Sequence, residues 1–179
     1  MADIDLLRPR ILAFEGGFQN MANDKANYTE DGTLIGTNKG VSAATYEKLF
    51  GEKPTVEDIK NLTDEQFDAV LASFGKAIKY EAIVNQSVAD IWFDWAWASG
   101  PYYPNRHVQA IVGAKVDGAV GQHTIDAVNN FSDQEDLFNQ IKQARLDYVD
   151  ALVMQTPADK GFEVGWKSRI NNYNYEDIG

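Results

Sequence analysis

The chain of 179 residues contains no cysteine. No disulfide framework can hold it together, and the thiolate ligands that structural zinc and iron–sulfur clusters need are missing. Histidine is nearly as scarce. His107 and His123 are the only two and do not form a His-x-x-x-His pair, so a zinc peptidase site is not expected. Positive charge is short as well, with 16 lysines and arginines against 27 acids and a net charge of −11. Such a field repels phosphates, and no basic stripe interleaved with aromatics offsets it, which argues against nucleic acid as a partner. No apolar run approaches the roughly 20 residues that cross a bilayer, so no membrane insertion is expected. The opening Met1-Ala-Asp-Ile-Asp5 carries acids where a secretory signal would carry a basic segment and an apolar run. The expectation is synthesis in the cytoplasm and release to the site of action by another route.

What is present suits a folded chain. Hydrophobic residues make up 44% and charged residues 24%, ordinary values for a globular protein of a size that buries a proper core. The strongest pattern is helical. Ile4, Leu7, Ile11 and Phe14 share one face of a first helix ending at Gly16-Gly17, which puts Glu15 at a helix end. Thr63-Asp-Glu-Gln66 reads as a capping box that opens a helix with Phe67, Val70, Leu71, Phe74 and Ile78 along one stripe. From Ser87 the residues Val88, Ile91, Trp92, Phe93, Trp95, Ala96 and Trp97 are apolar nearly all round, as in a central helix enclosed by others. Gly100, Pro101 and Pro104 break the run, and a helix over Arg106 to Val112 leads to a turn at Lys115-Val-Asp-Gly118. A short helix follows from Gly121 to Asn130. Ser132-Asp-Gln-Glu135 then reads as a second capping box, opening a long helix through Leu137, Ile141, Ala144, Tyr148 and Leu152, and Trp166 and Ile170 mark a last turn or two.

One long irregular stretch, Gln19 to Lys39, interrupts the helices. Thr29-Glu-Asp-Gly-Thr33 is a turn of the Asp-Gly hairpin type, so a β-hairpin or folded loop is expected there. Loops of this length in compact domains are usually functional.

The chemistry points to the start of that loop. Glu15 follows Phe14 and precedes two glycines, so its carboxyl leaves an apolar helix end beside backbone that a bulky ligand can approach closely. Desolvation there would favour the protonated form and a general-acid role. Glycoside hydrolysis pairs such an acid with a second carboxylate acting as base or nucleophile, and Asp24 in the polar loop is the first candidate. Asp117-Gly118 lacks the alternating ligands of a calcium loop and reads as a tight turn, while Ser99 and Ser168 have no base in any nucleophile motif. No metal and no cofactor is expected.

The segment Ile11-Leu-Ala-Phe-Glu-Gly-Gly-Phe-Gln-Asn20, followed by Thr37-Asn-Lys-Gly-Val-Ser42, resembles glycoside hydrolase family 108, the secretion-activator-like N-acetylmuramidases. Members carry a Glu-Gly-Gly-aromatic element ending the first helix, then an Asp-containing loop with a double glycine, then Thr-x-x-Gly-Ile-Thr. The resemblance implies a mainly α, lysozyme-like helical domain with a short β-hairpin at the active-site cleft. It implies Glu15, Asp24 and Thr37 as catalytic residues, and Gly16, Gly17, Asp31 and Asn38 around them are expected on the substrate. Here the family's Asn-Asp-Pro is Asn20-Met21-Ala22 and the Pro-Gly-Gly segment is a longer insertion, Lys25 to Gly36, so Asp31 stands as an alternative second carboxylate.

Further along, Trp95-Ala-Trp-Ala-Ser-Gly100, Val108 to Gly113 and Val116 to Thr124 resemble the family's segment after the central helix and its predicted peptidoglycan-binding part. Arg145-Leu-Asp-Tyr148 and Phe162-Glu-Val-Gly-Trp-Lys-Ser-Arg169 are similar to its closing Arg-x-x-(Tyr/Phe) and Gly-Trp-x-x-Arg elements. The implied division is a catalytic part over 1–100 and a helical binding part over 101–179, packed as one compact unit. Trp92 reads as core, and one of Trp95 and Trp97 is left to line the cleft. Tyr102 and Tyr103, in a Gly-Pro-Tyr-Tyr-Pro loop, are candidate glycan contacts. The expected partner is the glycan strand of peptidoglycan, met by a monomer at the cell wall after release by a holin or secretion system. The alternative is a non-catalytic wall-binding or secretion-accessory protein on the same scaffold.

Overall fold

The computed structural model describes residues 1–176. Its backbone forms two compact units, one of Asp5–Ser73 and the other of Met1–Ile4 with the chain from Phe74 onward.

In the first unit, helix α1 (Ile4–Phe14) buries Leu7 and Ile11, four residues apart on one face, while Ile4 and Phe14 are half-buried. Arg8 lies over the Phe67 ring and donates to Asp68. The strands are β1 (Thr37–Asn38) and β2 (Val41–Ser42), paired antiparallel with Thr37 opposite Ser42. Lys39 and Gly40 between them both have positive φ, 49° and 76°, which is the twist a two-residue hairpin turn requires. The hairpin is therefore not at Thr29–Thr33, and of the two expectations for that stretch the folded loop is the one that forms. That turn does form, with Thr29 N–H donating to Thr33 and Gly32 N–H to Thr29, but only one residue pair, Tyr28 and Leu34, bridges beyond it. The Asp31 carboxylate accepts from Thr29 and Thr33, so local side-chain bonds close a folded loop and no ladder follows.

Two helices went without a strong sequence signal. Helix α2 (Ala43–Phe50) is capped by Ser42 and ends at Gly51 in the left-handed region. Helix α3 (Val56–Lys60) opens on a reciprocal Thr55–Asp58 capping box. Helix α4 (Asp64–Ile78) begins as predicted, with Gln66 N–H donating to the Thr63 hydroxyl and Thr63 N–H to the Gln66 side chain. Phe67, Val70 and Leu71 of its stripe are buried.

In the second unit, α5 (Gln86–Ser99) is buried continuously from Ser87 to Ala96. Trp92 and Trp95 are both core, and Trp97 is half-buried, stacked on Phe93 and tilted against Phe74. The helix is not apolar all round, however: Asp90 and Asp94 are enclosed with the tryptophans. Asp90 accepts from Tyr80 Oη and Gln86 Nε2. Asp94 accepts from Arg145 and Arg169 at 2.6 and 2.7 Å.

Helix α6 (Tyr102–Ile111) starts earlier than expected and contains Pro104. A proline is tolerated in a first turn because the N–H it lacks would have no intrahelical partner. Tyr102 and Tyr103 thus sit on that helix turn and not in a loop. The turn at 115–118 is held by Gln109, whose Oε1 accepts from the Asp117 and Gly118 N–H groups. Helices α7 (Gln122–Asn129), α8 (Gln134–Gln155) and α9 (Glu163–Asn171) complete the unit. The cap of α8 is Asp133 and not Ser132: its carboxylate accepts from Asp136 N–H. Among the described residues the architecture is mainly α with one short hairpin, and no helix is long and apolar enough to cross a membrane.

Candidate active site

Glu15 is the first residue past α1, half-exposed, its N–H donating to Leu12. The next carbonyl, of Gly16, accepts from Lys39 N–H in the hairpin turn, which fixes the helix end against the hairpin. A Cβ built on Gly16 or Gly17 meets nothing within 4 Å, and neither has a positive φ. Neither packing nor backbone conformation requires glycine here, and what the pair provides is bare, exposed backbone beside Glu15.

The chain then runs through Phe18 to Gln19, which pairs with Thr37 by two backbone bonds of 2.9 and 2.8 Å. Gln19 also organises the loop. Its Nε2 donates to Asp24 Oδ2 at 2.9 Å and to Asn27 Oδ1 at 3.0 Å. Its Oε1 accepts from Asn27 Nδ2 at 2.8 Å and from Met21 N–H at 3.0 Å. The Thr37 hydroxyl closes the set on Asn27 Oδ1 at 2.7 Å. Asp24 caps the helical turn Lys25–Asn27 through Ala26 N–H, so it is a turn residue as well as a member of this network.

Two of the expected substrate contacts are engaged elsewhere. Asp31 is held by Lys53 Nζ at 2.6 Å and by Thr29 and Thr33 in its own turn, and these bonds, that from Lys53 first, hold it well below the usual carboxylate range. No bond joins it to the Asp24 network among the described residues. Asn38 is buried, its Nδ2 donating to the Ile59 and Lys60 carbonyls at 2.9 and 3.0 Å. It anchors the hairpin to the end of α3 and is not a surface group. Tyr102 and Tyr103 belong to the second unit, 55% and 54% exposed, with their rings in edge contact. Among the described residues no three His, Asp or Glu side chains come together as a metal site would need.

Gln19 and Asn27 are the residues that sequence reasoning missed, since an amide in a polar loop looks like a solvent-facing residue until its partners are known. Gly36 carries a detectable constraint. Its φ is +131°, and a Cβ there would fall 2.7 Å from both the Gln19 carbonyl oxygen and the Phe18 ring. Gly36→Ala is therefore expected to cost about 1–3 kcal/mol of stability and to loosen the Gln19–Thr37 pairing. Urea denaturation, with hydrogen exchange at the Gln19 and Thr37 amides, checks both.

The family model described as glycosyl hydrolase 108 matches residues 8–100, and the one described as a predicted peptidoglycan domain matches residues 103–171. The solved structure titled "Structure of Brucella abortus SagA" is similar over 98% of this chain and 97% of its own, with a TM-score of 0.76 at 22% identity. At that identity the likeness is one of fold, a mainly α, lysozyme-like one. No curated protein matches the sequence. With more than half of its length matched by the first model, the chain belongs to the glycosyl hydrolase 108 family and is a glycoside hydrolase with a C-terminal segment of the peptidoglycan-domain type.

Proposed function

We propose that the protein is an N-acetylmuramidase acting at the bacterial cell wall. It would cleave the β-1,4 bond between N-acetylmuramic acid and N-acetylglucosamine, with Glu15 as the general acid. The observation that carries this reading is the hydrogen-bonded set joining Asp24 to Thr37, built on the segment that runs directly from Glu15 past two bare glycines. An acid and a second carboxylate are the pair that hydrolysis of a glycosidic bond usually uses, and a hydroxyl beside the carboxylate can help hold the water. The glycan would cross Gly16-Gly17 so that its bridging oxygen meets Glu15. The bond breaks as Glu15 gives its proton to that oxygen, and Asp24 with Thr37 deals with the oxocarbenium-like carbon through a held water. Asp24 is preferred to Asp31 because Lys53 and two threonines already occupy Asp31.

The test is product analysis. Digestion of purified peptidoglycan should yield fragments ending in reducing N-acetylmuramic acid, identified by borohydride reduction and mass spectrometry. Reducing N-acetylglucosamine ends, or free peptides alone, would rule the assignment out.

The part over 101–179 would hold the wall. Tyr102 packs beside Gly118, where a Cβ would lie 2.9 Å from its ring, and Arg106 covers that ring at 5.5 Å. Tyr103 meets Tyr148 at 6.2 Å between ring centres. Exposed rings held in place in this way suit stacking against sugar faces, at about 1 kcal/mol each. Replacing both Tyr102 and Tyr103 with alanine should then weaken retention on intact walls by about thirtyfold in a sedimentation assay, the equivalent of about 2 kcal/mol. Turnover of a short soluble glycan should be unchanged.

A further inference from the structure

We infer that Gln19 and Asn27 are positioning residues for hydrolysis: they hold the Asp24 carboxylate and the Thr37 hydroxyl in one rigid frame and turn the Thr37 oxygen into an acceptor for the attacking water. The inference rests on the muramidase reading, in which Asp24 and Thr37 act on that water.

A count of donors and acceptors carries the argument. Asn27 is fully buried, and its Nδ2 donates to Gln19 Oε1 and to the Met21 carbonyl, at 2.8 and 2.9 Å. Both partners are pure acceptors, so the orientation of this amide is fixed and its Oδ1 must face Gln19 Nε2 and Thr37. Asn27 Oδ1 has no proton to give. The single Thr37 hydroxyl proton is therefore committed to it, across 2.7 Å, and the remaining lone pairs of Thr37 Oγ can only accept.

Gln19 is equally saturated. Both hydrogens of its Nε2 are used, on Asp24 Oδ2 and Asn27 Oδ1, and its Oε1 takes two donors. A flip of either amide would set lone pair against lone pair in a partly buried place, at a cost. The backbone locks the same frame: Gln19 and Thr37 exchange both main-chain bonds, and the Asn27 carbonyl accepts from the Ile35 and Gly36 N–H groups at 2.9 and 3.0 Å. Asp24 is tied down by one bond to each oxygen, from Ala26 N–H and from Gln19. Its other lone pairs remain to accept. A water that gives one hydrogen to Asp24 and the other to Thr37 Oγ has its own lone pair directed away from both, as a nucleophile needs.

The experiment uses the full chain on purified peptidoglycan, with kcat and KM measured beside the thermal midpoint. Gln19→Met keeps side-chain length and removes every hydrogen bond of the amide. Gln19→Glu keeps the acceptor facing Asn27 and Met21 and replaces only the donor, and it serves if Gln19→Met does not fold. The expected result is a fall in kcat of about 10- to 100-fold with KM within about twofold, as for a reacting group displaced by a fraction of an ångström. Thr37→Ser should keep most of kcat while Thr37→Val loses it. The double variant of Gln19→Met with Thr37→Val should lose little more than Thr37→Val alone, because both act on one water. A kcat within about twofold of wild type, a loss carried by KM, or full additivity in the double variant would overturn the inference. If wild type releases no reducing N-acetylmuramic acid ends, the muramidase reading fails and this falls with it. If it does release them and Gln19 variants keep kcat, only the inference fails.

Discussion

Replacing Glu15 by glutamine is expected to lower turnover of peptidoglycan by about 10²- to 10⁴-fold, the range a positioned general acid contributes, while binding to intact walls is kept. Glutamine preserves the shape and hydrogen-bonding reach of the side chain but has no proton to transfer to the leaving oxygen. The loss should therefore fall on kcat with KM little changed, the sign of an interaction made only in the transition state. Glu15 lies past the last turn of α1 and is half-exposed, so the exchange should alter stability by less than about 1 kcal/mol. A protein that only binds walls would show no lysis in either form. Equal lysis in both forms would remove Glu15 from the mechanism, and substitution of Asp24 and Asp31 in turn would then be the next step.

Much of this was legible in the chain because the signals are local. The capping box at Thr63 specifies the start of α4 within a single turn and the apolar stripe after it carries the helix on, and the Gly-Gly stop beside Glu15 is local in the same way. Where reading failed, a distant partner decided the outcome. Asp-Gly at 31–32 left a hairpin and a folded loop both open; the folded loop formed there, and the ladder formed around Lys39-Gly40, where Thr37 pairs with Gln19 and Ser42. Asn38 looked like a cleft residue until α3, which periodicity did not reveal in five residues, supplied carbonyls for its amide. Asp90 and Asp94 were lost inside a run of tryptophan and phenylalanine. A carboxylate in such a helix can be read only with its cations, and those stand far along the chain. Arg145 and Arg169 were singled out as separate motif residues; their common partner is what joins them.

That partnership leads to the largest stability effect expected in the molecule. Asp94 is completely buried, Arg145 is 4% and Arg169 15% exposed at the side chain. Burial alone would raise the Asp94 pKa, but the Arg145 charge first, and then the Arg169 bonds and charge, hold it below the ordinary carboxylate value. Both arginines stay protonated throughout. Asp94→Asn removes the negative charge and leaves the buried Arg145 uncompensated, an arrangement that costs about 3–5 kcal/mol. Against a total of about 5–15 kcal/mol for a native domain, the urea midpoint should fall sharply with little change in slope. Exchange protection should drop first in α5, α8 and α9, which carry the three side chains. The pH dependence has a definite sign. Because the folded pKa lies below the unfolded value of about 3.9, this contribution is whole above about pH 5 and is lost as pH falls toward and through the folded pKa. The Asp94→Asn variant should lack that acid-side slope. Replacing all three together, Asp94→Leu with Arg145→Met and Arg169→Met, should recover part of the loss, since a buried ionic cluster can be exchanged for packed apolar groups more cheaply than it can be broken by removing one member. A variant Asp94→Asn within about 1 kcal/mol of wild type would show that Arg145 finds solvent or another acceptor on opening, and the three-helix junction would then owe its stability to apolar packing around Trp92 and Trp95 instead.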